Sequence, residues 1–326
     1  MKKLFLILAS TFLACCSLYV PGETTYQNGT GGSSGNGSGT ETEEVHGVLN
    51  DDVTEQEELG RGLCYNNLNA DEIAKLKDSK VKWVYNWAIS PGEDELLKAA
   101  GIMFVPQQWG LSTETTRENL RTYYKNHTEC KYLMGYNEPN LGGSVGGSSI
   151  TPKQAAADWE NLEAIAEEFG LALIGPALQY SGETLSDGKK YGSPEEWMDA
   201  FIAEYQALHD GKSPKVDYFN LHCYMNWPSS LEWYVKNYYK MYGRKIYLTE
   251  FCAWEYNNGG QNESMENQTS SMKEKVTFMD SYSGCAGYAW FMSHGQTSDI
   301  PFNSIYEAKG ADGTLTSLGK AYLGKE

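Results

Sequence analysis

The chain has 326 residues, 26 of them Lys or Arg against 43 Asp or Glu, giving a formal net charge of −17. So acidic a protein repels phosphate backbones, which excludes a general nucleic-acid-binding role. Hydrophobic residues at 40% and charged residues at 21% fit a folded globular protein, and the length suits either one large barrel or α/β domain or two modest ones.

The chain starts Met1-Lys2-Lys3, followed by the apolar run Leu4–Ala14. That run is too short for a permanent membrane helix and has the layout of a bacterial secretion signal. It ends in Leu13-Ala14-Cys15-Cys16, which resembles the lipobox of bacterial lipoproteins. The resemblance makes Cys15 the lipid-bearing residue, with Cys16 as the alternative and a plain cleaved signal peptide as the other reading. From Ser17 to Asp52 the composition turns to Gly, Ser, Thr and Asn, which cannot bury apolar surface and is expected to be flexible coil. The expected organisation is a signal peptide over 1–14, a lipidated N-terminus and linker over 15–57, and a folded domain over 58–326. The mature protein is then expected in the bacterial cell envelope, held to a membrane through its N-terminal lipid alone.

Eight β-rich runs follow: Leu59–Asn66, Val81–Trp87, Ile102–Trp109, Tyr132–Asn137, Leu171–Gln179, Val216–Tyr224, Lys245–Phe251 and Gly287–Met292. Amphipathic stretches separate them, at Asp71–Asp78, Asp94–Ala100, Thr115–Asn126, Pro152–Phe169, Ser193–His209, Ser229–Met241 and Met272–Ser281. Thr151-Pro152 before Gln154 is a clear helix start, with a capping hydroxyl and proline in the first turn. Strand–helix alternation of this kind implies parallel strands joined by crossovers. A doubly wound open sheet is the rival to a single (β/α)8 barrel, but the glycine-rich Leu141–Gly147 lacks the phosphate-loop pattern such sheets usually carry. The barrel is the expected fold. Cys64, Cys130, Cys223, Cys252 and Cys285 have no zinc spacing, and most fall in strand-like runs, so they read as buried free thiols.

Barrel active sites sit at the C-terminal ends of the strands. Those ends carry Asn66, Asn86-Trp87, Gln107-Gln108-Trp109, Asn137-Glu138, Gln179-Tyr180, His222 with Tyr224, Glu250 and Trp290. Amides, aromatic rings, two carboxylates and one histidine suit a neutral, hydroxyl-rich ligand, because amides bond hydroxyls and rings stack on sugar faces. The set contains no metal-ligand cluster or phosphate-binding arginine, so neither cofactor nor metal is expected.

Gly135-Tyr136-Asn137-Glu138-Pro139-Asn140 ends the fourth run and Leu248-Thr249-Glu250-Phe251 the seventh. A Glu preceded by Asn after strand four, with a second Glu after strand seven, resembles the retaining glycosidases of clan A. Together with Thr151-Pro152-Lys153-Gln154-Ala155-Ala156, Trp159 and Leu173-Ile174-Gly175-Pro176-Ala177, the chain resembles glycoside hydrolase family 128 over roughly Gly60 to Leu323. The resemblance implies a small barrel acting as a monomer on β-1,3-glucan oligo- or polysaccharides, an endo-β-1,3-glucanase. It makes Glu138 the acid/base, Glu250 the nucleophile and Asn137 the partner of the sugar 2-hydroxyl. It also places Trp290 under the subsite where cleavage occurs, with core packing as the other reading of that ring. A surface glycan-binding protein with a degenerate barrel is a second reading, and a β-mannanase or β-1,4-glucanase a third.

Around this pair, Asn86 and Gln107 are candidate hydroxyl partners. Trp87, Trp109, Tyr180, Tyr224 and Trp254 are stacking platforms or core rings. His222 either orients Glu250, contacts sugar or is a satisfied core histidine. His294, Asp299 and the loop Asn257–Gln268 are outer candidates for shaping the groove.

Overall fold

The structure, a computed structural model, describes residues 45–180, 182–254, 262–295, 300, 302–307 and 312–325. All eight expected strands are present: β1 (Gly60–Cys64), β2 (Trp83–Tyr85), β3 (Met103–Phe104), β4 (Tyr132–Met134), β5 (Ala172–Ile174), β6 (Phe219–Cys223), β7 (Ile246–Phe251) and β8 (Cys285–Trp290). Six of them form one parallel sheet in the order β3-β2-β1-β8-β7-β6, so the first strand pairs with the last; β4 and β5 form a second parallel pair. Isolated parallel bridges join Gln107 to Met134 and Ile174 to Tyr218, linking β4 towards β3 and β5 towards β6.

Among the described residues eight α-helices cover the strands: α1 (Ala70–Leu76), α2 (Asp94–Ala100), α3 (Glu114–Asn126), α4 (Pro152–Phe169), α5 (Pro194–Leu208), α6 (Pro228–Tyr242), α7 (Met265–Ser281) and α8 (Ser317–Leu323). Their starts are set by local chemistry. Asn69 with Glu72, Thr113 with Thr116 and Thr151 with Gln154 form capping boxes, each satisfying two otherwise orphaned N–H groups. Helix α8 was not anticipated, although Thr316 caps its start and Gly324 ends it in the left-handed conformation.

Alternation along the strands sorts the apolar residues into two clusters. Leu63, Val84, Leu133, Leu173, Leu221 and Leu248 pack outward against helix residues such as Leu76, Trp159 and Val235. Cys64, Tyr85, Met134, Ile174, Tyr247 and Ala289 form a second cluster drawn from strands and the residues flanking them. The five cysteines of the folded region are buried free thiols, as their setting in apolar strands suggested.

The folded body begins earlier than residue 58. One compact unit runs from Glu44, and residues 46–59, assigned from composition mostly to the linker, are strapped to it. Leu49 is buried, Gly47 N donates to Asp199 (2.8 Å), Asn50 N to the carbonyl of Pro214 (3.0 Å) and Thr54 N to Asp217 (2.7 Å). The hydroxyls of Tyr132 and Tyr218 donate to the carbonyls of Glu57 and Gln56, and Leu59 N donates to the Tyr247 hydroxyl. Composition misjudged this stretch because its bonds are mostly backbone ones, which leave little trace in side-chain pattern. Residues 1–44, with Cys15, the signal segment and the glycine-rich part of the linker, lie outside the described residues.

Candidate active site

Glu138 and Glu250 lie at the C-terminal ends of β4 and β7, and His222 of β6 sits between them. Glu138 follows Asn137 in a left-handed backbone conformation (φ 42°), unusual for a residue with a side chain. The turn is held from both sides: Leu141 N donates to the Glu138 carbonyl, Ile150 N to that of Pro139 and Ser148 N to that of Asn137, all at 2.9–3.0 Å. This folds the glycine-rich loop back against the motif. A side chain at Gly147 would meet the Leu141 backbone at 2.4 Å, so only glycine permits the approach.

Glu250 is aimed by a different device. The register between β6 and β7 slips so that Leu221 faces Leu248 while His222 faces Glu250, leaving Thr249 as the extra residue of a bulge. Bulges re-aim side chains beside active sites. Here the Thr249 hydroxyl meets His222 Nε2 (3.0 Å), and the adjacent Glu250 carboxylate lies 3.5 Å from Nδ1 of the same ring. Neighbours on a regular strand would point to opposite faces.

Three donors converge on Glu250: Trp87 Nε1 (2.8 Å) and the Tyr85 hydroxyl (3.2 Å) on Oε1, and the Tyr224 hydroxyl on Oε2. Burial pushes both tyrosines well above their ordinary pKa, so they remain O–H donors. Glu138 Oε1 lies 2.8 Å from His222 Nδ1. Burial raises the Glu138 pKa and the Glu250 charge adds to the rise, against the opposing effect of His222. The His222 pKa is raised too: burial disfavours the charged ring, but the two facing carboxylates outweigh it. Two carboxyls thus occupy unlike surroundings, one ringed by donors and one buried against a histidine.

Glu138, His222 and Glu250 offer ligand atoms all within 4.8 Å of one another, a spacing that could hold a cation. Their hydrogen bonds give those atoms other partners. Glu250 already accepts three donors, and Nδ1 of His222 faces carboxylate oxygens, where it holds or shares a proton.

The structure brings most of the remaining candidates to the same end of the strands. Asn137 accepts from Gln107 Nε2 (3.5 Å) and donates to the Gly146 carbonyl (3.3 Å). Asn86 lies beside Tyr65, with 3.5 Å between its amide and the hydroxyl. Trp109 is 39% exposed, as a platform must be, while Trp254 packs edge-on to Tyr224 (5.2 Å) with its indole N–H buried and no hydrogen-bond partner among the described residues. Tyr180 leans on Trp233 and Tyr234 of α6. Trp87 is a donor to Glu250 rather than simply a platform.

Trp290 does not floor the site. It is 0% exposed, packs against Phe251 and Tyr322, and donates to the Asn303 carbonyl (2.7 Å), which places it on the helix-facing side of β8. The ring that faces the site is its neighbour Phe291, edge-on to Trp87 (6.1 Å) and Tyr224 (5.6 Å). A one-residue error in strand parity exchanges the two faces. His294 bonds Glu72 at the start of α1 (2.9 Å) rather than a carboxylate of the site, and Asp299 and residues 257–261 lie outside the described residues. Tyr85, Thr249, Asn220, Phe291 and the exposed Trp227 at the start of α6 were not singled out from sequence.

Residues 62–322 match the family model described as glycosyl hydrolase catalytic core. The chain belongs to that family. Within it, the chain is similar to the crystal structure of a family 128, subgroup II, endo-β-1,3-glucanase from Pseudomonas viridiflava, at 32% identity and TM-score 0.70, over 82% of this chain and 98% of that one. A second subgroup II endo-β-1,3-glucanase, from Sorangium cellulosum, matches at 24% identity and TM-score 0.65 over 82% and 98% of the two chains. A subgroup I endo-β-1,3-glucanase from Amycolatopsis mediterranei, in complex with laminarihexaose, matches at 22% identity and TM-score 0.59 over 82% and 99%; these last two speak for the fold alone. No curated protein matches the chain.

Proposed function

We propose that this glycosyl hydrolase is a retaining endo-β-1,3-glucanase acting as a monomer, with its eight strands closed into a (β/α)8 barrel. The observation that carries the reading is the buried Glu138–His222–Glu250 cluster at the C-terminal ends of β4, β6 and β7. Two carboxyls with atoms within 4.8 Å of each other fit the ~5–5.5 Å carboxyl separation of retention better than the ~6.5–9.5 Å of inversion. Pairing of β1 with β8, together with the bridges at Gln107–Met134 and Ile174–Tyr218, supports closure. The Pseudomonas viridiflava relative supports the substrate.

In this reading Glu250, with its charge held by Trp87, Tyr85 and Tyr224, attacks the anomeric carbon. Glu138 gives its proton to the departing glycosidic oxygen, then takes one from the water that breaks the glycosyl–Glu250 bond. In the same reading Asn137, held by Gln107 and the Gly146 carbonyl, bonds the 2-hydroxyl, and Trp109 stacks on a sugar face. The test is incubation with laminarin, curdlan, mixed-linkage glucan, cellulose and mannan. Laminarin and curdlan are expected to yield oligosaccharides of several lengths. Release of glucose alone would indicate exo action, and cleavage of mannan or cellulose only would overturn the substrate.

We further propose that the mature chain is a lipoprotein anchored through Cys15, on the strength of the Leu13-Ala14-Cys15 junction. Cys15→Ala combined with Cys16→Ala is expected to move the protein from the membrane fraction to the soluble one. A wild-type protein already soluble after cell fractionation would defeat the proposal.

A further inference from the structure

Behind His222 lies a short chain of buried polar groups that the proposed mechanism does not use. Asn220 Nδ2 donates to the Gly175 carbonyl (3.2 Å), which turns its Oδ1 towards Thr249. That oxygen can only accept, so the Thr249 hydroxyl spends its single proton on it, at 2.8 Å. Towards His222 Nε2, 3.0 Å away, the same hydroxyl can then only accept, and Nε2 must carry a hydrogen. Asn220, His222 and Thr249 are all at most 1% exposed, so water does not substitute for any of them.

The consequence falls on the other ring nitrogen. With hydrogen fixed on Nε2, a neutral ring presents a bare lone pair at Nδ1, 2.8 Å from Glu138 Oε1. Two acceptors cannot face each other at that distance without a proton between them. One proton is therefore shared, either as a Glu138 carboxylic acid donating to Nδ1 or as an imidazolium donating to the carboxylate. If the ring could instead be neutral with its hydrogen on Nδ1, it would stabilise an ionised Glu138 and leave no acid.

We propose that Asn220 and Thr249 are positioning residues that lock the His222 tautomer and thereby keep the acid proton on the Glu138–His222 pair. The proposal rests on Glu138 being the acid/base. The other groups facing the pair are Glu250 from β7, Tyr224 just after β6 and Tyr234 from α6, with Tyr85 of β2 behind Glu250; the three hydroxyls stay protonated, their pKa pushed up by burial. Cys64 and Cys252 near Glu250 are held as thiols by burial, and Lys275 lies near Cys252. Among the described residues Glu250 is thus the carboxylate acting on the pair, and its negative charge favours keeping the proton.

The test compares Thr249→Val with Thr249→Ser. Valine keeps the shape and removes the hydroxyl, freeing the tautomer, so the alkaline limb of kcat/KM on laminarin should fall by about one pH unit, a tenfold effect. Cleavage of a 2,4-dinitrophenyl β-laminaribioside, whose leaving group needs no acid, should be unchanged, and serine should restore the wild-type profile. A Thr249→Val enzyme with the wild-type pH profile overturns the proposal. Nitrogen-15 NMR of histidine-labelled wild-type protein is the independent arm and does not depend on the valine variant folding. His222 Nε2 should resonate as a protonated nitrogen at every pH, and an unprotonated Nε2 overturns the lock. This arm involves no catalysis, so it separates failure of the lock from failure of the acid/base role, which Glu138→Ala tests on its own.

Discussion

Glu250→Ala is expected to lose hydrolysis by roughly 10⁴-fold or more, because it removes the atom that forms the covalent glycosyl intermediate. Added azide should then restore slow cleavage of an activated glycoside and yield a glycosyl azide of inverted configuration. Glu138→Ala should behave differently. Attack by Glu250 remains possible, so a substrate with a good leaving group should still react, while turnover of laminarin falls by about 10²–10⁴-fold with the loss of general acid catalysis. Azide should accelerate breakdown of that intermediate without a general base and give the retained anomer. Proton NMR of the first wild-type product reports the stereochemistry directly. An inverted wild-type product would sink retention, and full activity in either variant would remove that residue from the mechanism.

The second large effect separates two neighbouring rings. Trp290→Ala should cost about 3–5 kcal/mol of stability, since the ring is wholly buried between Phe251 and Tyr322 and its indole N–H is bonded. For a domain of this size that lowers the melting temperature by roughly 10 °C. Phe291→Ala should leave the melting temperature closer to wild type and reduce kcat on laminarin about tenfold, because its edge contacts brace Trp87 and Tyr224 around Glu250. Thermal melts and kinetics on the two variants suffice. The reverse pattern, a stable but inactive Trp290→Ala, would restore Trp290 to the floor of the site.

These two residues also mark where sequence reading reaches its limit. Glu138 and Glu250 were legible because each closes a strand-like run inside a recognisable local motif. The eight strands were legible because each is a short β-rich run bounded by turn or helix signals. Parity was less secure. It holds only while a strand is regular, and the bulge that leaves Thr249 unpaired in β7 turns consecutive residues towards the same ring, which no period of two foretells. Register shifts again between Leu248 and Phe251 where β7 meets β8, next to Trp290, the ring expected under the cleavage subsite. Tyr85 looked like any strand aromatic, and only three-dimensional placement brings its hydroxyl 3.2 Å from Glu250. The strap over residues 46–59 escaped for the opposite reason, since hydrogen bonds made largely by main-chain groups leave composition unchanged.

That strap bears on how the enzyme could be fixed to a surface. Its tyrosine anchors stand at the starts of β4, β6 and β7, while Glu138 and Glu250 stand at the other ends of their strands. His46 and Gly47, where the strap begins, lie against Asp199 of α5, which also accepts from the Tyr242 hydroxyl of α6. A bead, a fusion partner or a sensor chip coupled ahead of His46 would be joined to the flank, leaving the end of the strands that carries the glutamates open to a long polysaccharide. Coupling through surface lysines such as Lys189 and Lys190, on the loop between β5 and α5, would crowd that end instead.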